Sequence, residues 1–530
     1  MRRAALAGAS ALAVAGALAC AACTPRAARD DAAHARIGVE VEPHTLAPIL
    51  GESITDNEIL RLIYDPLVGC DRNGNPVPAL AAAVPTRANG GISADGLTVT
   101  YRLRRDVRWQ NGRPFTSADV AATFRAVMDP RNPVATRHGY DVVARVETPD
   151  RRTIRFRLKR PFAPFVGTVF AESDSPFYVG PAPSMTGALE RAPIASAPVG
   201  TGPYRVVRWI RGDRLELEAN PAYWGGAPAI RRLTLRFIPD ENTELVGLRT
   251  GDLDAVLVLS ANAAAQARAI PHVRVDASPT NGYFGMLMNT SRGATADRRV
   301  RRAIAEAVDP AAFRADVTHG YYARAIADLP TVLWAADRAL APVPHDPAGA
   351  RTILARAGYG GRRRLELELA IVGSSQTYRA EAVLLQSELR AVGVDLRIHP
   401  YLGDTYSAPA AAGGILARGR YDLALYGWIA GMDPDDSSQF TCAERPPAGY
   451  DQTFYCSEEM DAAQRAALGT YDLRARKRAY ARIEALLLRD DPIAFLGSPV
   501  KIAALRAGFG GFSPSLITLT ANAGRWTLHR

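Results

Sequence analysis

The strongest constraint on the fold of this chain lies between residues 365 and 398. Residues 365–371 read as a strand, and residues 381–392 place Leu385, Leu389 and Val392 at helical spacing. Gly393 supplies a helix stop, and Val394, Leu396 and Ile398 then alternate as a strand does. A strand, helix and strand in this order form a crossover unit, whose handedness is right-handed and whose two strands run parallel. The pattern recurs upstream. Residues 241–250 read as a helix ended by Gly251, and residues 255–259 are a continuous apolar run, the mark of a strand covered on both faces. The chain is therefore α/β, and at 530 residues it exceeds what one core usually supports, so two or three domains are expected. Between about 80 and 192 the pattern changes to short strands (97–103, 153–158) around one helix (117–128), with Ser117 as its expected N-cap and Asp119 in its first turn. That block reads as a compact α+β insertion. Residues 57–64 read as a short helix, Asn73-Gly74 as a hairpin turn, and 458–488 as two helices broken near Gly469.

The first residues set the compartment. Arg2 and Arg3 precede an uncharged apolar stretch, residues 4–19, which ends in small residues at Cys20 and Cys23. This is the layout of a secretory signal, and no later apolar run reaches the ~18 residues of a membrane span. Cys20, after Ala17-Leu18-Ala19, resembles a bacterial lipobox cysteine, although a larger aliphatic residue is the usual choice where Ala17 stands. Residues 1–19 are thus expected to be a signal peptide, and 20–35 a lipid anchor and tether. In an oxidising compartment Cys442 and Cys456 are expected to close a short loop, adding about 3 kcal/mol on the chain-entropy model. A metal site is the competing reading, and no histidine lies near them. Cys70 is left as a buried free thiol. The net charge of +10 comes from arginines scattered over helices and strands, not from a basic segment with interleaved aromatics, so no nucleic-acid partner is expected.

The catalytic signatures GxSxG, HExxH and GxxxxGK[ST] do not occur, and the eight histidines are dispersed. An enzyme is not expected, and neither a cofactor nor a metal is assigned. The most informative stretch is 421–456, YDLALYGWIAGMDPDDSSQFTCAERPPAGYDQTFYC, which joins an apolar strand, a Gly-Trp exit, clustered carboxylates and two cysteines. It reads as one wall of a ligand cleft. Two readings of Asp433, Asp435 and Asp436 stand: a metal site, or a solvated turn opening a helix with Asp435 or Asp436 as its N-cap. Two also stand for Trp428, as a core aromatic or as a pocket wall.

Several segments, in order, resemble the bacterial extracellular solute-binding proteins of the peptide and nickel class, which serve ABC importers. They are residues 67–81 ending in PALA, LRRDVRWQNGRPFTSADV (103–120), GTGPY (200–204), NPAYW (220–224), GDLD (251–254), DRRVRRAIAEAVD (297–309), and Gly427-Trp428 with DPD at 433–435. The resemblance implies a periplasmic-binding-protein-like type II fold, with two α/β lobes joined by a hinge and a small extra α+β domain. Lobe I is expected from 36–79, 193–275 and 493–530, the extra domain from 80–192, and lobe II from 276–492. It also implies an extracytoplasmic receptor, at the periplasm or cell surface, that encloses a peptide or peptide-like solute between its lobes and presents it to a membrane permease. A monomer is expected, and an exported enzyme or peptide-handling chaperone is the alternative. The paired cysteines resemble a pair in some dipeptide-binding members. The ligand contacts expected are Glu42, Pro43, His44, Tyr283, Trp428, Ile429, Ala430, Gly431 and Asp433. Peptide-binding relatives place an ammonium-pairing aspartate where this chain has Gly431, with Asp433 as a substitute. Dipeptide-specific relatives place a carboxylate-pairing arginine where it has Val372, Gly373, Ser374, Ser375 and Gln376, with Arg379 as the fallback. The expected ligand is therefore not a zwitterionic dipeptide held in the familiar way.

Overall fold

The structure, a computed structural model, describes residues 33–51, 53–173, 176–361 and 363–529. The signal segment, Cys20 and Cys23 lie outside the described residues. The crossover unit is present: Leu365–Val372 and Val394–Tyr401 pair in parallel over their full length, from Leu365 with Val394 to Val372 with Tyr401. The helix between them, Gln376–Ala391, begins earlier than its apolar spacing predicts, because the Ser375 hydroxyl accepts the Tyr378 amide at 3.3 Å and caps a polar first turn. Leu385 and Leu389 on the helix pack with Leu365, Leu367 and Leu369 of the strand. The sheet has five strands in the order Val394–Tyr401, Leu365–Val372, Leu423–Ile429, Gly282–Met288, Ile493–Gly497.

A second sheet has seven strands, in the order Val273–Pro279, Val500–Arg506, Ala255–Leu257, His34–Val39, Arg232–Phe237, Arg214–Ala219, Tyr204–Ile210. His34–Val39 pairs in parallel with both neighbours, and Ala35 and Ile37 are fully buried there. The strand therefore begins inside the expected tether. The helix Glu241–Thr250 is capped by Asp240, whose carboxylate accepts the Thr243 amide at 2.8 Å, and it ends at Gly251 with φ of +88°.

The chain passes between the two sheets twice, side by side. Val273–Pro279 pairs along its length with Val500–Arg506, whereas Gly282–Met288 and Ile493–Gly497 pair with each other. The crossings thus fall at 280–281 and 498–499, not at 276 and 493. Strand membership is settled by partners more than 200 residues away, which local pattern does not report. The crossings are tied together: the Thr280 hydroxyl donates to the Pro499 carbonyl at 2.7 Å, and the Ser498 hydroxyl donates to the Gly282 carbonyl at 2.8 Å.

The block at 80–192 carries a three-stranded sheet, Thr98–Arg102, Thr153–Leu158 and Val143–Asp150, against the helix Ser117–Met128. Its N-cap is Thr116, not Ser117: Asp119 accepts the Thr116 amide at 2.8 Å, while the Ser117 hydroxyl is taken by the Asp150 carbonyl at 2.6 Å. The short helix expected at 57–64 starts earlier, as Ile54–Ile63, because Ser53 and Asp56 bond each other's backbone amides in a capping box. The core of the small domain is continuous with part of lobe II: Phe156, Phe162 and Phe165 belong to one apolar cluster with Met432, Phe440, Tyr480 and Leu487. The Ala163 amide bonds the Leu468 carbonyl at 2.8 Å across that junction. The other edge of the small domain meets lobe I, where Gln110 bonds the Tyr204 carbonyl at 2.7 Å and accepts the Gly200 amide at 2.9 Å.

Candidate functional site

The strand Leu423–Ile429 has two unequal edges. On one it pairs antiparallel with Gly282–Met288 over all seven residues, Leu423 with Met288 through Ile429 with Gly282. On the other it pairs with Leu365–Val372 only at Leu423 and Ala424. Its C-terminal half therefore leaves the sheet with one strand partner. The inter-sheet crossing holds this exit: the Ala430 amide donates to the Asn281 carbonyl at 2.6 Å, and Asn281 Nδ2 donates to the Gly431 carbonyl at 2.5 Å. Glycine at 431 allows a close approach: a Cβ there would stand 3.1 Å from Ser173 Cβ and 3.3 Å from Ser173 Cα, a contact tight enough that the neighbour would have to shift. Gly167 faces it in the same way, its Cβ position lying 3.1 Å from Asp433 Cβ and Met432 Cγ. Small domain and lobe II thus meet backbone to backbone at the strand exit.

A cavity lies on each side of that exit. The first, of about 180 Å³, is lined from lobe II by Trp428, Ala430, Gly431 and Asp433, and from the small domain by His138, Tyr140, Ser173 and Phe177 among others. The second, of about 240 Å³, lies between Gly427 and Ile429 and the lobe I residues Ser53, Ile54, Lys501, Ile517 and Thr518, with Ser173 shared. Strand alternation sends Trp428 to one cavity and Ile429 to the other. Five of the nine expected contact residues are therefore brought to the cleft. Tyr283 is not: it is 1% exposed, its hydroxyl donates to Gln439 at 2.7 Å, and its ring stands edge-on to Phe495. Glu42 is held by Trp209 Nε1 and the Gly212 amide, both at 2.9 Å, Pro43 is buried, and His44 is exposed near Glu190. These three line neither cavity, because the hairpin between the Tyr204–Ile210 and Arg214–Ala219 strands captures Glu42. Arg379 is exposed and bonds the Gly373 carbonyl, also outside both cavities.

The carboxylates of 433–436 are neither a solvated turn nor grouped around a common point; they are buried and splayed to three partners. Arg476 grips Asp433 with both terminal nitrogens, at 2.6 and 2.9 Å, and also donates to the Ala467 carbonyl and the Tyr480 hydroxyl. Burial pulls this guanidinium down, but Asp433 more than reverses it and holds it above its usual value. Asp435 accepts His138 Nε2 at 2.8 Å and the Ser437 amide at 3.0 Å. Burial lowers the His138 pKa, and Asp435, with Asp141 and Glu444 behind it, outweighs that and lifts it to about 9. Asp435 is correspondingly depressed, its burial overcome by His138. Asp436 is the N-cap of the short helix Ser437–Phe440 by position, but its side chain makes no cap bond and instead accepts Gln464 Nε2 at 2.7 Å. Burial first, and then Asp328, push its carboxyl well above the ordinary range.

Cys442 and Cys456 are joined, and the loop they close brings the Tyr450 ring to 6.0 Å from Trp428. Trp428 is a pocket wall: it stacks on Tyr426, and its Nε1 is buried with no partner among the described residues. Sequence reasoning missed the small-domain wall, His138, Tyr140, Ser173 and Phe177. They are single residues in irregular segments, and only their distance from lobe II in space marks them.

The five-stranded sheet, the seven-stranded sheet and the smaller three-stranded sheet are thus the frame around the two cavities at the strand exit. The sequence pattern of the bacterial extracellular solute-binding proteins, family 5, middle region, matches residues 75–446. The chain is 30% identical over 472 residues to protein XP55 of Streptomyces lividans, covering 87% of this chain and 82% of that one. It is 28% identical over 462 residues to the di/tripeptide-binding protein 2 of Pseudomonas aeruginosa, covering 83% and 85%. Its structure superposes on the substrate-binding protein CtaP of Listeria monocytogenes with a TM-score of 0.83 at 23% identity, covering 94% and 99% of the two chains. This chain belongs to the family 5 extracellular solute-binding proteins, a family of substrate-binding proteins for ABC importers.

Proposed function

We propose that the chain is a peptide receptor, monomeric and held at the outer face of the membrane by a lipid on Cys20, which hands its ligand to an ABC permease. The observation that carries the peptide reading is the half-paired strand Leu423–Ile429. Beyond Ala424 the edge facing away from Gly282–Met288 has no strand partner; the Tyr406 hydroxyl takes the Leu425 carbonyl there at 2.5 Å, and the stretch from Gly427 to Ile429 lies between two cavities. An extended ligand bonds such an edge through its main chain while alternate side chains enter the flanking cavities. The name of the Pseudomonas relative supports the same chemistry. Closure needs only that the ligand contact both faces of the cleft, since contacts made only in the closed form bias the equilibrium toward it.

The test is thermal unfolding of the mature protein with synthetic di- to pentapeptide mixtures, set against sugars and metal chelates. Peptides at a hundred times Kd are expected to add about 2.7 kcal/mol of stability. Native mass spectrometry should then show one peptide bound and unchanged. A shift with sugars or chelates and none with peptides overturns the reading. Anchoring is checked separately, as loss of membrane fractionation in Cys20→Ser.

A further inference from the structure

The wall of the first cavity is bonded to the chain where it crosses between the sheets, an arrangement that, given the receptor reading above, bears on closure. Residues 280–281 lie between the end of Val273–Pro279 in one sheet and the start of Gly282–Met288 in the other, and belong to neither. A rotation of one lobe against the other is absorbed in the backbone of the two crossings. The residues on either side of Asn281 are tied to the second crossing: the Thr280 hydroxyl to the Pro499 carbonyl at 2.7 Å, and the Gly282 carbonyl to the Ser498 hydroxyl at 2.8 Å. Asn281 itself, 1% exposed, is turned to the wall.

Its carbonyl accepts the Ala430 amide at 2.6 Å, and its Nδ2 donates to the Gly431 carbonyl at 2.5 Å and, more weakly, to the Asp433 carbonyl at 3.4 Å. The backbone bond carries the ladder between Gly282–Met288 and Leu423–Ile429 past its last pair, Gly282 with Ile429, into the crossing. Gly282 makes this approach possible: a Cβ there would stand 2.1 Å from the Trp428 carbonyl oxygen and 2.9 Å from Ile429 Cα. The residues so held, Ala430, Gly431 and Asp433, line the first cavity, and Arg476 grips the Asp433 side chain from behind. A rotation about ψ of Asn281 swings its side chain against its own carbonyl, and these two groups hold neighbouring residues of the wall. The crossing therefore turns only if residues 430–433 shift with it or the side-chain bonds break.

We propose, resting on the receptor reading above, that Asn281 is a positioning residue that couples the wall of the first cavity to the angle between the lobes. A solute that fixes residues 430–433 fixes the crossing, and closure follows occupancy. Asn281 lines neither cavity, so it acts through the wall and not by touching the solute.

The experiment is small-angle scattering of the mature protein with and without the synthetic peptide mixtures of the thermal assay. It is run on the wild type and on Asn281→Ala, which keeps the backbone acceptor and deletes the side-chain bonds. The wild type is expected to contract when peptide binds. Asn281→Ala is expected to bind about ten-fold more weakly and, once saturated, to show roughly half or less of the wild-type contraction. A variant that loses thermal stability but contracts fully at saturation makes the bonds structural and overturns the inference. So does a wild type that binds peptide without contracting, an outcome that leaves the peptide reading standing. If the wild type binds no peptide, that reading falls and the inference with it. Where the variant does not fold, amide-resolved hydrogen exchange on the wild type decides. Peptide is expected to slow the Ala430 amide, which bonds Asn281, together with the Ser498 amide of the second crossing, and slowing at Ala430 alone overturns the coupling.

Discussion

Within four residues of lobe II, two kinds of buried acid stand side by side. Asp433 and Asp435 face the cavity and each has a cation, Arg476 and His138. Asp436, one residue on, points the other way, toward Asp328 and Glu484, and no cation bonds any of these three among the described residues. Burial first, and then the neighbouring acids, lift Asp328 and Glu484 to about 7 and Asp436 well above its ordinary range. The difference shows two ways of keeping a carboxyl out of water: supply a counter-ion, or leave the proton on. The first gives each acid of the wall its own cation, and the second places a proton-sensitive cluster directly behind it.

The largest effect is expected from breaking a paired acid. Arg476→Met leaves Asp433 buried without its cation and should cost roughly 3–5 kcal/mol in urea unfolding, whereas adding Asp433→Asn to that variant should recover more than half of the loss. A single variant as stable as the wild type would show that the pair contributes little. The unpaired cluster should behave in the opposite sense. Its folded pKa values are raised, so its stabilising contribution is fully present below about pH 4 and is lost as pH rises through about 7. Asp328→Asn should therefore raise stability at pH 8 by about 2 kcal/mol while changing little at pH 4, a pH-dependent difference read directly from paired denaturation curves. The smallest effect belongs to His138, whose side chain is 34% exposed. Its folded pKa is also raised, so its contribution is complete below about 6.5 and fades as pH passes about 9. After allowing for solvent screening, His138→Gln should cost about 1 kcal/mol at pH 6 and almost nothing above pH 10, as a difference in melting between the two conditions. A pH-independent loss would make the contact one of packing against Phe162, whose ring centroid is 5.6 Å away.

Much of the scaffold was legible in the sequence. Residues 365–398 fold as the crossover unit that their periodicity indicates, and Gly251 ends its helix in the left-handed conformation that its residue type allows. The hairpin at Asn73-Gly74 forms, with Val68–Cys70 on Pro76–Pro78 and Gly74 at φ +79°. The break near Gly469 separates Glu458–Leu468 from Leu473–Asp490. These signals lie within a dozen residues of one another and depend on backbone preference and side-chain period. The candidate site was legible only in part. Trp428, Ala430, Gly431 and Asp433 come together because they are consecutive on one strand exit. Glu42, Pro43, His44 and Tyr283 were placed by chain order and resemblance, and a hairpin and a buried hydroxyl contact hold Glu42 and Tyr283 elsewhere.

The sequence by itself determined the α/β class, the cysteine pair and the strand Leu423–Ile429, since each is written in local spacing and residue type. The tertiary structure alone decided which strand belongs to which sheet, and which acid is paired and which keeps its proton. Asp433 meets Arg476 across 43 residues, and Asp435 meets His138 across 297. The chemistry of a buried carboxylate depends on what stands within a few ångströms of it, and in this protein those neighbours come from distant segments and, for His138, from another domain.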